Sequence, residues 1–317
     1  MQLTALVCAA LFQNFVAQYH KVYHDAAEYN YRQHIFCDNA EYIDTSNAVN
    51  ANSYILDINQ FADLTDSEFE LLYTSKPHMD TMSFEVDNNT IDHEIYLSTD
   101  IPASFDWRDS GHVTPVKNQA ACGSCWAFSA VAGVEAHTSI YKQKTVSLSE
   151  QELVDCAWIF MNFGCSGGEV NRAFAYIKKN GLTTESKYPY VARNQFCKNF
   201  GKTIANKTFI SDWKNVQPMN ETRMVDVLFH VGPLNVAVAA SSRDFKFYKS
   251  GILDKCGIQL DHAVLVVGYG VENGNEYFII KNSWGETYGE NGYIRISRNR
   301  HVGGTCGVAT MPSYPIV

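Results

Sequence analysis

The sequence lacks a run of apolar residues long enough to cross a bilayer, and it lacks an excess of basic residues. Its 34 acidic residues outnumber 25 basic ones, which gives a formal charge of -9 and predicts no clustered basic face for nucleic acid. Internal repeats and low-complexity tracts are also missing. These absences exclude a helical membrane protein and a nucleic-acid-binding protein. The 317 residues can hold two ordinary domains, or one enzyme domain with an accessory segment.

The N-terminus lacks the basic residues that usually begin a secretory signal, since the first lysine is Lys21. It does carry an apolar run from Leu3 to Phe12, with the small residues Val7 and Ala9 at a suitable cleavage site. Two interpretations stand: residues 1–11 are a cleaved signal peptide, or they are an incomplete or buried N-terminus. If the chain is secreted, glycosylation is possible at three sequons, at Asn88, Asn206 and Asn220. Such triplets also occur by chance.

Nine cysteines divide into two groups: Cys8 and Cys37 lie near the N-terminus, and seven fall between Cys122 and Cys306. In an oxidising compartment, the simplest account of seven is three disulfide bonds and one free thiol, which is then a candidate nucleophile. A zinc site or seven reduced thiols is the alternative. If Cys8 leaves with a signal peptide, Cys37 has no partner in its own segment, and a buried packing role is expected for it.

Residue composition and apolar spacing divide the rest of the chain into three parts. Residues 12–75 are helical in character, with two helices expected before Asn50 because apolar residues recur at helical spacing without Gly or Pro. Residues 76–100 are polar and acidic and predict an exposed, cleavable linker. Residues 101–317 predict a compact α+β unit. Its predicted helices cover residues 125–142, 149–156 and 168–180, and its predicted strands cover 234–238, 263–269, 277–281 and 292–297.

Cys125 is the strongest candidate for a nucleophile. It opens the predicted helix 125–142, whose small apolar residues suit a helix that is buried on most sides. A thiol at a helix N-terminus lies near unpaired N–H groups and the positive end of the helix dipole, which favours the thiolate. His262 is the best partner, since it stands at the mouth of an apolar strand where its ring can face a cleft. Structural roles are expected for the other histidines.

Asn282 lies in a Lys-Asn-Ser-Trp-Gly turn that can complete this arrangement. Its side-chain oxygen can accept a hydrogen bond from His262, and Trp284 can shield that bond from water. Taken alone, such a turn is typical of a loop with a packed indole. Together with Cys125 and His262, it favours nucleophilic catalysis by a thiol.

These residues resemble those of the papain-family cysteine proteases, and specifically of cathepsin L-like precursors. The run from Cys122 to Trp126 fits the family signature. His262 follows Cys125 at the family separation of roughly 130 to 150 residues, and Asn282 falls slightly beyond it. The resemblance runs from about Phe12 to Val317. It implies a two-lobed fold, with a helical lobe, a β-barrel-like lobe and a cleft between them, preceded by a helical propeptide domain.

The resemblance also implies roles for individual residues of the catalytic unit. Gln119 and the backbone N–H of Cys125 would form the oxyanion hole. A largely apolar pocket would take a hydrophobic residue at the second position before the scissile bond. Glu169 either tolerates a basic side chain in that pocket or points to solvent. The implied disulfides are Cys122–Cys165, Cys156–Cys197 and Cys256–Cys306, and the implied substrate-binding residues are Glu169, Val170, Ala237, Leu260, Ala263, Trp284 and Met311.

Residues 12–75 resemble the inhibitory propeptide of the same family. Read without the family, the first motif is an amphipathic helix in which Arg32 pairs with Glu28. In the second motif Asp57 replaces the usual glycine, which puts a tight turn in doubt. The family precedent is a propeptide that runs backwards through the cleft and is released at acid pH, here by cleavage near residues 98–102. The matched residues are Glu28, Arg32, Phe36, Asn39, Ile43 and Asn47, then Asn59, Phe61 and Asp63.

The sequence therefore predicts a lysosomal or secreted cysteine endopeptidase, made as a zymogen and acting as a monomer on protein substrates without a metal or cofactor. Its expected partners are its own propeptide and cystatin-type inhibitors. The apolar run 158–163 is either a docking surface or packs against the propeptide or the domain body. Two other functions remain: a catalytically silent member of the fold, and an exopeptidase, which would need a cleft-blocking insertion that the sequence does not show.

Overall fold

The structure, a computed structural model, describes residues 5–49, 53–75, 91–92, 100–199, 205–257 and 259–317, and these ranges form a mixed α+β fold. The helices are α1 Ala5–Gln18, α2 Ala26–Asn47, α3 Asp66–Tyr73, α4 Cys125–Lys142, α5 Glu150–Cys156, α6 Val170–Asn180, α7 Glu221–His230 and α8 Arg243–Lys246. The strands are β1 Tyr54–Leu56, β2 Phe105–Asp106, β3 Asp212–Asn215, β4 Leu234–Val238, β5 Tyr248–Leu253, β6 His262–Glu272, β7 Asn275–Lys281, β8 Tyr293–Ser297 and β9 Ser313–Ile316.

One sheet joins these strands in the order β1-β5-β8-β7-β6-β4-β9-β3, and β2 pairs with β6. All of its pairs are antiparallel except β5 with β8. The strands β4, β6 and β7 are rich in valine and isoleucine, and most of their residues are buried, as suits the central strands of a sheet. The strands β1 and β3 lie at the two ends of this order.

Two main hydrophobic cores lie on either side of the candidate site. One is helical, and it packs α4 against α5 and α6 around Trp126, Val134 and Phe174. The other packs the sheet against α7 and the N-terminal region. Helix α4 also lies against β6, where the Ser129 hydroxyl donates to the Val264 carbonyl at 2.8 Å. The start of α4 and the start of β6 are therefore brought together.

The N-terminal region, residues 5–75, shares the core of the sheet half. Phe12 and Phe15 of α1 pack on Phe36 of α2, with ring centroids 5.3 and 5.0 Å apart, and all three side chains are buried in the core that contains the sheet. Strand β1 adds to the sheet edge by pairing with β5, where Tyr54 is opposite Gly251. A β-carbon on Gly251 would lie 2.4 Å from the Ser53 carbonyl oxygen, so this close approach requires glycine.

The structure bears on two expectations about the N-terminus. Cys37 is not a free thiol, because it is disulfide-bonded to Cys8. Residues 5–11, expected to belong to a signal segment, are part of α1, and Cys8 is buried beside Phe12 and Phe15. A cut at Val7 or Ala9 would shorten this helix, and a cut at Ala9 would also remove Cys8. Short apolar runs predict signal segments and buried helices equally well, and this packing favours the second interpretation, a buried N-terminus.

The two helices expected before Asn50 are confirmed as α1 and α2, and the three expected in the catalytic unit are confirmed as α4, α5 and α6, although α6 begins two residues later, at Val170. The four predicted strands are confirmed as β4, β6, β7 and β8, of which β6 is longer than expected. Helix α7 was missed in the half predicted to be rich in strands. Its signal is present, since Asn220 caps it and Met224, Val225 and Leu228 are buried at helical spacing.

Candidate active site

Cys125 is the first residue of α4, as the sequence predicts, and it is the free cysteine among the described residues. Its side chain is fully buried. The Sγ atom lies 3.2 Å from the Ser75 hydroxyl oxygen, which belongs to the N-terminal region. The peptide N–H groups at the start of α4 favour an anion at this position, but the N-terminal region covers it.

His262 and Asn282 meet as predicted, with the His262 Nε2 atom 2.8 Å from the Asn282 Oδ1 atom. Both side chains are buried, and His262 Nδ1 has no hydrogen-bond partner among the described residues, so it is the ring nitrogen left for the thiol. The Trp284 indole stacks on the imidazole at a centroid distance of 4.6 Å. The hydrogen bond is therefore screened from water by a fully buried ring.

The Gln119 side chain is held in one orientation by the Ser283 hydroxyl, which donates to its Oε1 atom at 2.6 Å. Its Nε2 atom donates to the carbonyl oxygens of Tyr73, at 3.1 Å, and of Cys122, at 2.9 Å. Tyr73 belongs to the N-terminal region. A backbone carbonyl of that region thus already contacts the donor that the sequence assigns to an oxyanion hole.

Burial keeps the candidate catalytic pair neutral. It raises the pKa of the Cys125 thiol, against the opposite effect of the Ser75 hydrogen bond. It also lowers the pKa of His262 to about 4, although the hydrogen bond with Asn282 acts to raise it. A neutral Cys125 thiol is a resting state, because the nucleophile is the thiolate.

The six residues of the first N-terminal motif fix α2 against the chain that follows it. Arg32 donates to Glu68 at 2.8 Å and to the Asp63 carbonyl at 3.1 Å, whereas its ion pair with Glu28 is longer, at 3.8 Å. Asn39 donates to the carbonyls of Ala62 and Leu64. Asn47 exchanges two hydrogen bonds with the backbone of Leu56, and Phe36 and Ile43 are buried.

The second motif attaches the N-terminal region to the catalytic unit. Asn59 donates to the Lys246 carbonyl at 2.7 Å, and the buried Phe61 ring packs on Trp284 at 5.4 Å. Asp63 binds Lys21 at 2.7 Å within the N-terminal region. The doubt about Asp57 is removed, because its backbone is not in the left-handed region that requires glycine and its N–H donates to the Phe247 carbonyl.

Most of the predicted specificity residues line one pocket next to Ser75 and His262: Glu169, Val170, Ala237, Ala263 and Met311. Leu260 is not among its lining residues, and its side chain lies beside Gly307. Glu169 forms an ion pair with Arg172 at 3.0 Å, and burial raises its pKa. Asn171, Asn235 and Asp261 also line the pocket and were not predicted from the sequence. The alternation of strand β4 offers a signal for Asn235, since it shares a face with Ala237.

The remaining cysteines pair as the resemblance implies, in the bonds Cys122–Cys165, Cys156–Cys197 and Cys256–Cys306. Within the described ranges there is no cluster of His, Cys, Asp and Glu side chains that suits a metal ion. The helices of those ranges are each too short or too polar to cross a membrane.

The surface features predicted from sequence have mixed outcomes. In the apolar run 158–163, Trp158, Ile159 and Met161 are 59%, 53% and 50% exposed, which favours the exposed alternative for these side chains, whereas Phe160 packs on Tyr176. Asn206 is exposed on a turn. The Asn220 side chain caps α7, and Asn88 lies outside the described residues.

Two family models match the chain. Residues 101–316 match the model described as papain family cysteine protease, and residues 12–69 match the one described as cathepsin propeptide inhibitor domain. The chain is 42% identical over 316 residues to the senescence-specific cysteine protease SAG39 of Oryza sativa subsp. japonica, which covers 97% of this chain and 90% of that protein. It is 43% identical over 307 residues to chymopapain of Carica papaya, covering 96% and 86%.

Solved structures of related proteins match this chain over nearly its whole length. The recombinant stem bromelain precursor is 40% identical, with a TM-score of 0.86, and the match covers 98% of this chain and 99% of that one. A digestive procathepsin L 3 of Tenebrio molitor larval midgut is 34% identical, with a TM-score of 0.87 and the same coverage. Both of these structures are of precursors.

Proposed function

This chain belongs to the papain family of cysteine proteases and is made as a zymogen, and from that premise we propose that the processed enzyme is an endopeptidase with Cys125 as its nucleophile. One observation carries the proposal. The propeptide crosses the candidate site at Tyr73–Ser75, with the Tyr73 carbonyl on Gln119 and the Ser75 hydroxyl at Cys125. A site that lets a continuous chain pass both groups suits the binding of internal segments of a substrate.

Four side chains and one backbone group divide the proposed chemistry. The Cys125 thiolate attacks the scissile carbonyl carbon, and the negative charge moves to the carbonyl oxygen. Gln119 Nε2 and the Cys125 backbone N–H stabilise that oxyanion. The His262 imidazolium, oriented by Asn282, gives its proton to the leaving amine. Water then attacks the thioester with His262 as base, which releases the acid and restores the thiol.

The same contacts explain why the propeptide inhibits without being cut. The propeptide group that contacts Cys125 Sγ, at 3.2 Å, is the Ser75 hydroxyl, whereas the attack requires a carbonyl carbon. The Ser75 backbone N–H donates to the Asp261 carbonyl at 2.7 Å, which fixes this arrangement. The chain passes from Trp284, at Phe61, to the specificity pocket, at Ser75. We propose that this direction is the reverse of a substrate's.

Acid pH favours loss of the propeptide because two groups, His262 and Glu68, bind protons more readily after opening than in the closed zymogen. The closed zymogen holds the pKa of His262 at about 4, so an uncovered imidazole binds an extra proton as pH falls from about 6.5, and opening becomes more favourable. Burial tends to raise the pKa of Glu68, but hydrogen bonds from Arg32 and Thr65 lower it overall. Its stabilising contribution is present above about pH 4.5 and is lost as pH falls through the lowered pKa. Asp261 acts in the opposite sense, since burial raises its pKa to about 6.

The disulfide bonds and the covered cleft also suggest where the enzyme acts and what binds it. Four disulfide bonds suit an oxidising compartment, so we place the enzyme in the lysosome or outside the cell. We propose that it acts as a monomer, that cystatin-type inhibitors bind the uncovered cleft, and that processing cuts near residues 98–102, between the propeptide and the catalytic unit.

A library of peptides blocked at both ends tests this function. Acid-processed enzyme should cut internal bonds, with a preference of about 10 to 200-fold for a hydrophobic residue over a small polar one at the second position before the bond. Glu169→Gln is the matched variant, and it should weaken any tolerance for a basic side chain there without changing the hydrophobic preference. Release of terminal residues or dipeptides alone, from unblocked peptides, would indicate an exopeptidase. A flat profile at that position would reject the pocket assignment.

A further inference from the structure

A second contact between the propeptide and the catalytic domain lies away from the cleft, at Ile91 and Asp92. Ile91 forms a parallel bridge with Asn215, and the Asp92 N–H donates to the Asn215 carbonyl at 2.8 Å. Asn215 is the last residue of β3, the end strand of the sheet. The chain before the catalytic domain is therefore held at the sheet edge by backbone hydrogen bonding.

The Asp92 carboxylate enters a socket formed by Lys214, Arg223 and Tyr314, which we call the Asp92 socket. Its Oδ2 atom lies 3.3 Å from Arg223 and accepts the Tyr314 hydroxyl at 3.0 Å, and its Oδ1 atom lies 3.8 Å from Lys214. The Asp92 side chain is completely buried. A buried carboxylate is stable only when it is paired and hydrogen-bonded, so these contacts specify an acidic side chain.

The three socket residues come from β3, α7 and β9, all within the catalytic domain, whereas Asp92 precedes that domain. Arg223 also binds Asp226 on its own helix, which positions the guanidinium. The groups assigned to catalysis lie elsewhere in the domain, with Cys125 at the start of α4 and His262 at the start of β6. The socket is thus built by parts of the domain that the reaction does not use.

We propose that the Asp92 socket is a second propeptide-binding site, which recognises a carboxylate carried on an extended strand. The propeptide is then tied to the catalytic domain at two places, Ser75 at Cys125 and Asp92 at the socket. Release of the propeptide requires both contacts to open. An intact socket therefore slows cleavage of the chain between Asp92 and the catalytic domain. This inference deepens the proposed zymogen function, but the binding itself does not depend on catalysis.

The first experiment substitutes Asp92→Asn in the full-length chain, which removes the charge and keeps the size. Conversion of the precursor at a fixed acid pH should become at least about tenfold faster, because the neutral amide gives up the charge-assisted contacts that the buried carboxylate makes with Arg223 and Lys214. Asp57→Asn is the matched control. Asp57 also faces a cation of the catalytic domain, Lys249 at 4.0 Å, but their side chains are 58% and 52% exposed, so conversion should change little.

The second experiment measures hydrogen exchange in precursors that also carry Cys125→Ser, so that no self-processing occurs. With Asp92→Asn, the backbone amide of residue 92 and the neighbouring amides of β3 should exchange about tenfold faster. The exchange of the amides of residues 66–75 should be unchanged. Unchanged exchange at Asp92 would overturn the socket, whatever the enzyme hydrolyses. Faster exchange with an unchanged conversion rate would overturn the claim that the socket retains the propeptide. A protein without peptidase activity would contradict the proposed function alone.

Discussion

Replacement of Cys125 by serine should lower kcat for a blocked peptide by about 10⁴-fold or more in processed enzyme. The physical reason is that the serine hydroxyl does not ionise at neutral pH, whereas the thiol at the start of α4 ionises once the propeptide leaves. The substitution is nearly isosteric, so the fold should be retained, and it is checked by thermal unfolding. Because the precursor cannot process itself, the propeptide is removed with an added protease before hydrolysis is measured.

Gln119→Ala is the matched variant for this prediction. It removes one oxyanion donor and leaves the nucleophile, so kcat should fall about 100-fold to 1000-fold while a thiol-directed epoxide still labels Cys125. Cys125→Ser should lose both hydrolysis and labelling. Substantial hydrolysis by the serine variant would assign the chemistry to another group, and loss of labelling in Gln119→Ala would show that the glutamine acts on the thiol itself.

Phe69→Ala should release the propeptide at neutral pH, and the unprocessed precursor should gain peptidase activity by about 100-fold or more. The Phe69 ring is fully buried, with its centroid 5.2 Å from the Trp284 ring and 5.1 Å from the Phe61 ring. The Lys246 Nζ atom lies 5.4 Å from its centroid. Truncation of a buried phenylalanine typically costs about 3–5 kcal/mol, and each 1.4 kcal/mol is a factor of ten in the docking equilibrium.

The control is Leu71→Ala on the same helix, because Leu71 is 53% exposed and its truncation should change little. Hydrolysis is measured immediately after mixing with substrate, and a gel confirms that the precursor is intact. If intact Phe69→Ala precursor remained as inactive as the unsubstituted precursor, the aromatic contact with Trp284 would not hold the propeptide in the cleft.

The candidate site could be found in the sequence because its chemistry depends on residue types that have few alternative uses. Cys125 was separated from the other cysteines by their odd number, by the helix that it begins and by the family motif. The structure adds the contacts between His262 and Asn282 and between Gln119 and Ser283. The pairing of β6 with β7 brings His262 to Asn282, and the bridge between Asn118 and Trp284 brings Gln119 to Ser283, so both contacts depend on strand pairing.

The features that sequence could not predict are those set by tertiary contacts. Cys8 lies in an apolar run that resembles a signal segment, and only the packing of α1 on α2 shows that it reaches Cys37. Gly251 carries no sign that another strand approaches it, because β1 comes from a different domain of the chain. Asp92 lies in an acidic linker with no hydrophobic pattern, and its burial depends on cations that follow more than a hundred residues later.

We propose that the precursor holds a complete catalytic site and that its own propeptide keeps this site inactive. The direct test is labelling of Cys125 by a thiol-directed epoxide, followed by mass spectrometry, with hydrolysis of a blocked peptide measured on the same samples. Intact precursor at neutral pH should be neither labelled nor active, and acid treatment near pH 4 should give stoichiometric labelling that abolishes the activity it reveals. Intact precursor that is labelled and fully active at neutral pH, before any cleavage near residues 98–102, would contradict the claim.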